Sequence, residues 1–164
     1  MAQTITVDLS VHGLEKLKRF LIGKQRWLDR KTDEVCRRLA EMGAVKASLN
    51  FSRAIYTGNE DHTITVESRG KNEYAVRADG ETVLFVEFGT GLMGYGHQEP
   101  NGYGAGTYPG KGHWDDPSGW WLPREKNGGH SQHTFGNPPN APMYKAVRTL
   151  EDELERVVRE VFES

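Results

Sequence analysis

The residues best suited to chemistry lie together in a glycine-rich stretch: His113, Asp115, Asp116, His130 and His133. Imidazole and carboxylate groups bind Zn²⁺ and other divalent ions. However, His130 and His133 are three residues apart without a helical pattern to align their rings, and no glutamate stands between them as in a zinc-protease helix. We therefore expect exposed loop histidines, and neither metal ligands nor catalytic residues.

The glycines between residues 102 and 112 raise the question of a phosphate-binding loop. Such a loop needs a strand before it, a helix after it, and usually a lysine next to Ser or Thr. Pro109 and the missing helical pattern argue against this, so we expect no nucleotide or other cofactor.

Glu87 is the most unusual single residue because it interrupts the apolar run from 82 to 88. That run predicts a strand covered on both faces, with Glu87 on the same face as Val83 and Phe85. Burying an unpaired charge costs several kcal/mol. Glu87 must therefore lie at an exposed strand end or meet an arginine or backbone N–H groups, and both alternatives stay open. Gly89 and Gly91 permit a sharp exit from the strand.

Helical patterns flank this region. Residues 3 to 8 alternate like a short strand, Ser10 is placed to cap a helix, and Gly23 is predicted to interrupt the helical region of residues 1–50. Residues 141–162 predict a C-terminal helix with Asn140 as its cap and Pro142 in its first turn. Its heptad-like apolar seam favours packing on the domain's own sheet or first helix over an intersubunit coil.

Period-two alternation predicts a sheet over residues 62–88, with Asp79 and Gly80 in a tight hairpin before the third strand. Residues 89–140 then hold most of the 19 glycines, six of the seven prolines and three of the four tryptophans. They predict a long loop whose aromatic residues, Trp120 and Trp121 among them, favour packing against partners over disorder.

The expected fold is a single α+β domain spanning residues 1–164, with an antiparallel sheet of three to four strands packed against N-terminal and C-terminal helices. Formal net charge is -2, and residues 14 to 49 hold ten Lys or Arg against five acids. A dedicated duplex-DNA binder is usually far more basic. One cysteine excludes an internal disulfide, and neither a signal peptide nor a membrane span is indicated.

Several motifs occur in a recognisable order. Phe85-Val86-Glu87-Phe88-Gly89-Thr90-Gly91 is followed by a Gly/Tyr/Trp-rich segment with Tyr108-Pro109-Gly110 and Gly119-Trp120-Trp121, and then by Pro139-Asn140-Ala141-Pro142-Met143-Tyr144 at the helix start. In this order the chain resembles the head-to-tail joining and tail-completion proteins of long-tailed double-stranded DNA bacteriophages, also described as neck or minor tail proteins. The resemblance spans most of the chain.

The resemblance implies a non-enzymatic virion assembly protein, made in the host cytoplasm, that forms an oligomeric ring at the head–tail junction. Expected partners are other copies of the chain, the adjacent head-completion protein, and the tail-terminator or tail-tube protein. Genomic DNA is expected to pass through the lumen without specific binding, and no membrane is involved. The expected interaction residues are Phe85, Glu87, Phe88, Gly89, Gly91, Trp120, Trp121 and Pro142.

Two other classes of function stay open. The first is a metal-dependent hydrolase or a cell-wall-acting phage enzyme that uses the loop histidines. The second is a carbohydrate-binding module in which Trp114, Trp120 and Trp121 stack on sugar rings.

Overall fold

A computed structural model describes residues 6, 8–54, 61–90, 118–122 and 128–163. The described chain is α+β, as predicted, with a helix near each end and two small antiparallel sheets between them. The predicted strand at residues 3 to 8 lies mostly outside the described residues, and neither Thr6 nor Asp8 belongs to a strand.

Helix α1, Val11–Phe51, is one unbroken helix of 41 residues, which corresponds to a length of about 60 Å. The Ser10 cap is confirmed, since the backbone N–H of Gly13 donates to Ser10 Oγ at 3.1 Å. The predicted interruption at Gly23 is wrong. A glycine inside a helix costs only about 1 kcal/mol, and the turns on both sides of Gly23 offset that cost.

Strands β1, Thr63–Gly70, and β2, Glu73–Asp79, form an antiparallel hairpin that packs on α1. Its turn lies at Lys71 and Asn72, and Asn72 has a φ of 59°. The prediction of a second hairpin at Asp79-Gly80 is wrong, because a helix follows Gly80 and not a third strand.

That helix, α2, spans Val83–Phe88, where the sequence predicted a strand. A short apolar run fits both structures, and periodicity alone does not separate them. Helical spacing buries Val83, Val86 and Glu87 together, at positions i, i+3 and i+4. The strand assignment at 82–88 is therefore wrong, and the sheet of three to four strands is not formed by these residues.

The segment 89–140 is not a loop throughout. Strands β3, Trp120–Leu122, and β4, Gln132–Thr134, pair antiparallel, and a two-residue strand β5, Gly136–Asn137, follows. Gly119 makes β3 possible, because its φ is 73° and a Cβ there would lie 2.4 Å from the carbonyl oxygen of Thr134. Residues 91–117 and 123–127 lie outside the described residues.

Helix α3, Pro142–Glu163, packs against α1. The two helices run antiparallel: the start of α3 lies beside Asn50, whose amide donates to the carbonyl of Pro142, and its end lies beside Lys31, whose ammonium donates to the carbonyl of Val161. The predicted packing of the C-terminal helix on the first helix is therefore confirmed, although Val147 and Leu154 of its apolar seam stay about half exposed. In the described ranges, no helix combines the length and the hydropathy needed to cross a bilayer.

Among the described residues, two apolar clusters form the core. One joins Val35 of α1 to Val157 and Val161 of α3, and the other joins Phe51 to Val83 and Val86 of α2. Gly43 of α1 admits both the β hairpin and α3, since a Cβ there would lie 3.3 Å from Val76 and 3.0 Å from Leu150. Helix α1 is therefore the platform on which the β1–β2 hairpin, α2 and α3 pack.

Candidate functional site: the junction of α2 and α3

The Glu87 side chain joins α2 to the first turn of α3. The backbone N–H of Met143 donates to Glu87 Oε2 at 2.8 Å, and the N–H of Tyr144 donates to Oε1 at 3.1 Å. The first N–H groups of a helix have no partner within it and carry the positive end of its dipole. A carboxylate 56 residues earlier in the chain thus caps this helix.

Glu87 is only 5% exposed, and its burial is the largest influence on its acidity. Loss of hydration disfavours the ionised form and raises the pKa of Glu87 above its ordinary value. The two N–H groups of Met143 and Tyr144, and the charge of Lys145, lower this pKa in part. Of the two alternatives left open by the sequence, the structure selects contact with backbone N–H groups.

Backbone hydrogen bonds strengthen the same junction. The N–H of Asn140 donates to the carbonyl of Val86 at 3.0 Å, and the N–H of Ala141 donates to the carbonyl of Glu87 at 3.1 Å. The prediction of Asn140 as the helix cap is wrong, because α3 begins at Pro142 and places Ala141 at the cap position, one residue later. Ala141 precedes α3 with a φ of 49°, and Glu87 supplies the capping oxygens.

The residues after α2 continue this connection. Gly89 ends the helix with a φ of 77°, a conformation that favours glycine. Thr90 then pairs with Asn137 of β5, whose N–H donates to Thr90 Oγ1 at 3.1 Å. The chain leaving α2 and the chain returning to α3 are therefore joined side by side, and Gly89 permits the sharp exit that was expected of it.

The other predicted interaction residues are distributed around this junction. Pro142 is fully buried, whereas Phe85 and Phe88 are half-buried one helical turn apart on α2. Gly91 lies outside the described residues.

Trp120 and Trp121 lie in β3. Trp120 is half-buried and Trp121 is 65% exposed. The ring of Trp121 meets the ring of His133 edge-on at 5.1 Å. The structure thus brings Glu87 and Pro142 together and places both tryptophans in β3, paired with β4.

The histidines considered as metal ligands are only partly described. His130 and His133 are exposed, and His133 packs edge-on against Phe135 as well as Trp121. Within residues 8–54, 61–90, 118–122 and 128–163, no three His, Cys, Asp or Glu side chains come together as metal ligands would. His113, Asp115 and Asp116 lie outside these ranges.

That Glu87 caps α3 was not predicted from the sequence. The one signal was a carboxylate inside an apolar run, which needs a partner when it is buried. The arrangement itself is structural, because both carboxylate oxygens already accept backbone hydrogen bonds. The chain matches no protein-family model, no curated protein and no solved structure.

Proposed function

We propose that this chain is a non-enzymatic virion assembly protein, a ring-forming subunit at the bacteriophage head–tail junction that completes the tail or joins it to the capsid connector. The proposal combines the resemblance of the 85–91 motif and the 139–144 helix start with the surface of α1. In it, the motif holds α2, β5 and α3 together, and other surfaces bind the neighbouring subunits.

The observation that carries the proposal is the exposed apolar surface on the first half of α1. Leu14, Leu21 and Leu28 follow one another at intervals of seven residues, and they are 49%, 54% and 50% exposed. Large exposed apolar patches on a folded domain are typical of protein–protein contacts. A subunit that binds copies of itself and adjacent junction proteins would need such a surface.

Imaging of virus particles tests this function directly. Particles made without the protein are expected to accumulate as filled heads and separate tails, and supplying the protein in trans should restore joined particles. In intact particles, a label fused to the chain should appear at the junction as a ring. A label inside the capsid or at the tail tip would contradict the placement.

The enzymatic alternative makes a different prediction in the same assay. Replacing His113, His130 and His133 with alanine would abolish a metal-dependent activity, but it should leave the joining of heads and tails intact if the protein acts by assembly alone. Zinc bound stoichiometrically to the purified protein, together with failure of the triple variant to support infection, would favour the hydrolase.

A further inference from the structure

We propose that the exposed apolar stripe on the first half of α1 binds the outer face of α3 in a second copy of this chain. The inference rests on the proposed ring function and adds the two surfaces that would form the contact. The α1 stripe consists of the exposed Leu14, Leu21 and Leu28 with the half-buried Leu17 between them, and the α3 stripe consists of Val147, Leu154 and Val158.

The α1 stripe continues a face that the chain already uses for helix packing. Successive members at i, i+3 and i+7 share one side of a helix, and Leu28 is seven residues before Val35. Val35 packs against α3 together with Leu39 and Met42. The same side of α1 is therefore covered by an amphipathic helix beyond Val35 and exposed before it.

The exposed stretch is too long for its own α3 to cover. The last turn of α3 contacts α1 at Trp27, whose ring meets Phe162 at 5.6 Å, and at Lys31. Residues 11 to 26 of α1 extend past this contact by about 24 Å. A helix that covered Leu14 and Leu21 would need an apolar face like that of α3. The α3 helix of another copy of the chain has such a face.

Helix α3 has an apolar stripe of its own beside the face that it buries. Val147, Leu154 and Val158 are 50%, 47% and 36% exposed, at spacings of seven and four residues. Helical geometry places Glu151 and Glu155 along the outer edge of this stripe. Val157 and Val161, on the neighbouring side, are buried against α1. Helix α3 can therefore pack on α1 of its own chain with one face and contact a helix of a second copy with the other.

The charges of the two surfaces are complementary. Residues 11 to 31 hold seven Lys or Arg against two acids, whereas residues 151 to 163 hold six acids against two arginines. Lys18 and Lys24 flank the α1 stripe, opposite in sign to Glu151 and Glu155. Several acids of α3 already form pairs within the helix, such as Glu151 with Arg148 and Glu155 with Arg159. Exposed pairs of this kind are weak and exchange readily.

Complementarity between two different patches produces a head-to-tail contact. Such a contact closes into a ring or continues as a filament, because each copy still offers one unused patch of each kind. Pairing of α1 with α1 would instead be a two-fold contact, and it would bring lysine against lysine along the stripe edges. The charges therefore favour α3 of a second copy as the occupant.

Cysteine crosslinking tests the contact in a Cys36→Ser background. The variant with both Leu21→Cys and Leu154→Cys should form a ladder of dimers and larger species under mild oxidation, whereas Leu21→Cys alone should not. Within one chain, Leu154 of α3 lies beside a part of α1 that is roughly 27 Å along the helix axis from Leu21, and this distance is too long for a disulfide. Dimers of the single Leu21→Cys variant would show α1–α1 pairing and overturn the assignment.

Charge reversal gives an independent measurement by sedimentation. Lys18→Glu with Lys24→Glu, or Glu151→Lys with Glu155→Lys, should each weaken self-association at least about tenfold. Combining all four changes should restore it to within about threefold. Lys16→Glu with Arg19→Glu, away from the stripe, is the matched control, because it alters the net charge equally.

Two outcomes separate this inference from the proposed function. Particles that carry the ring but show no crosslink between positions 21 and 154 would overturn the contact and leave the function intact. A crosslink in a protein that is absent from the head–tail junction would overturn the proposed function and leave the contact intact. Purified chains that stay monomeric to about 1 mM and form no crosslink would also overturn the contact.

Discussion

Replacing Glu87 with alanine tests the junction of α2 and α3. The change removes the acceptor for two N–H groups at the buried start of α3. An unsatisfied buried donor costs about 1 to 3 kcal/mol, and loss of a helix cap costs about 1 kcal/mol. These costs overlap, and removing a buried carboxylate offsets part of them. We expect the free energy of unfolding to fall by about 2 to 4 kcal/mol, measured by urea denaturation.

The more conservative Glu87→Gln variant separates shape from charge. The carboxamide oxygen still accepts one N–H, whereas its NH₂ group faces the other, so we expect a loss of about 1 to 2 kcal/mol. The matched control is Glu155→Gln on α3, an 85% exposed carboxylate paired with Arg159. It should change the free energy of unfolding by less than about 0.5 kcal/mol.

The pH dependence follows from the raised pKa of Glu87. In the unfolded chain the carboxyl group of Glu87 loses its proton above the ordinary pKa of 4.5. In the folded chain burial raises the pKa, so between these two pKa values the folded chain still holds the proton. The folded state is then favoured most below pH 4.5, and this advantage is lost as the pH rises through the raised pKa. The stability difference between wild type and Glu87→Gln should therefore shrink as the pH rises.

Denaturation of both proteins between about pH 4 and about pH 8 measures this difference. A difference that grew with pH would mean that the N–H groups and the helix dipole outweigh the loss of hydration. An effect of Glu87→Ala no larger than that of Glu155→Gln would refute the cap itself.

Two glycines give further predictions. Gly23→Ala, in the exposed middle of α1 with no atom within 4 Å of the new Cβ, should raise the free energy of unfolding by about 0.5 to 1 kcal/mol, and a decrease would argue for a bend at that position. Gly119→Ala should destabilise the β3–β4 hairpin by about 1 to 3 kcal/mol, seen as faster hydrogen exchange in β4, because the new Cβ meets the Thr134 carbonyl. Gly128→Ala, also at positive φ but in open space, is its control and should cost about 1 kcal/mol or less.

The long amphipathic elements could be predicted because their patterns repeat many times. Helix α3 and most of α1 follow a period of 3.6, and β1 and β2 follow a period of two, so no tertiary information is needed to recognise them. Gly23 misled the prediction because glycine lowers helix stability without preventing a helix. The Ser10 cap was predictable because its hydrogen bond is local.

The short elements could not be predicted in this way. A six-residue run such as 83–88 contains fewer than two helical turns, and its conformation depends on what it packs against. Here Phe51 buries Val83 and Val86, and the start of α3 requires an acceptor beside them. Glu87 is thus explained by a partner 56 residues away, and only its unusual setting was visible in the sequence.

The two ends of α3 explain how one helix can serve both the fold and an assembly. Its first N–H groups are satisfied by Glu87 from α2, and its carbonyl at Val161 is satisfied by Lys31 from α1. A helix fixed at both ends loses little further freedom when a partner binds, so association costs less entropy. Its exposed stripe at Val147, Leu154 and Val158 contributes little to the chain's own core. Polar substitutions there should consequently weaken self-association without unfolding the protein, whereas the same substitutions at Val157 or Val161 should unfold it.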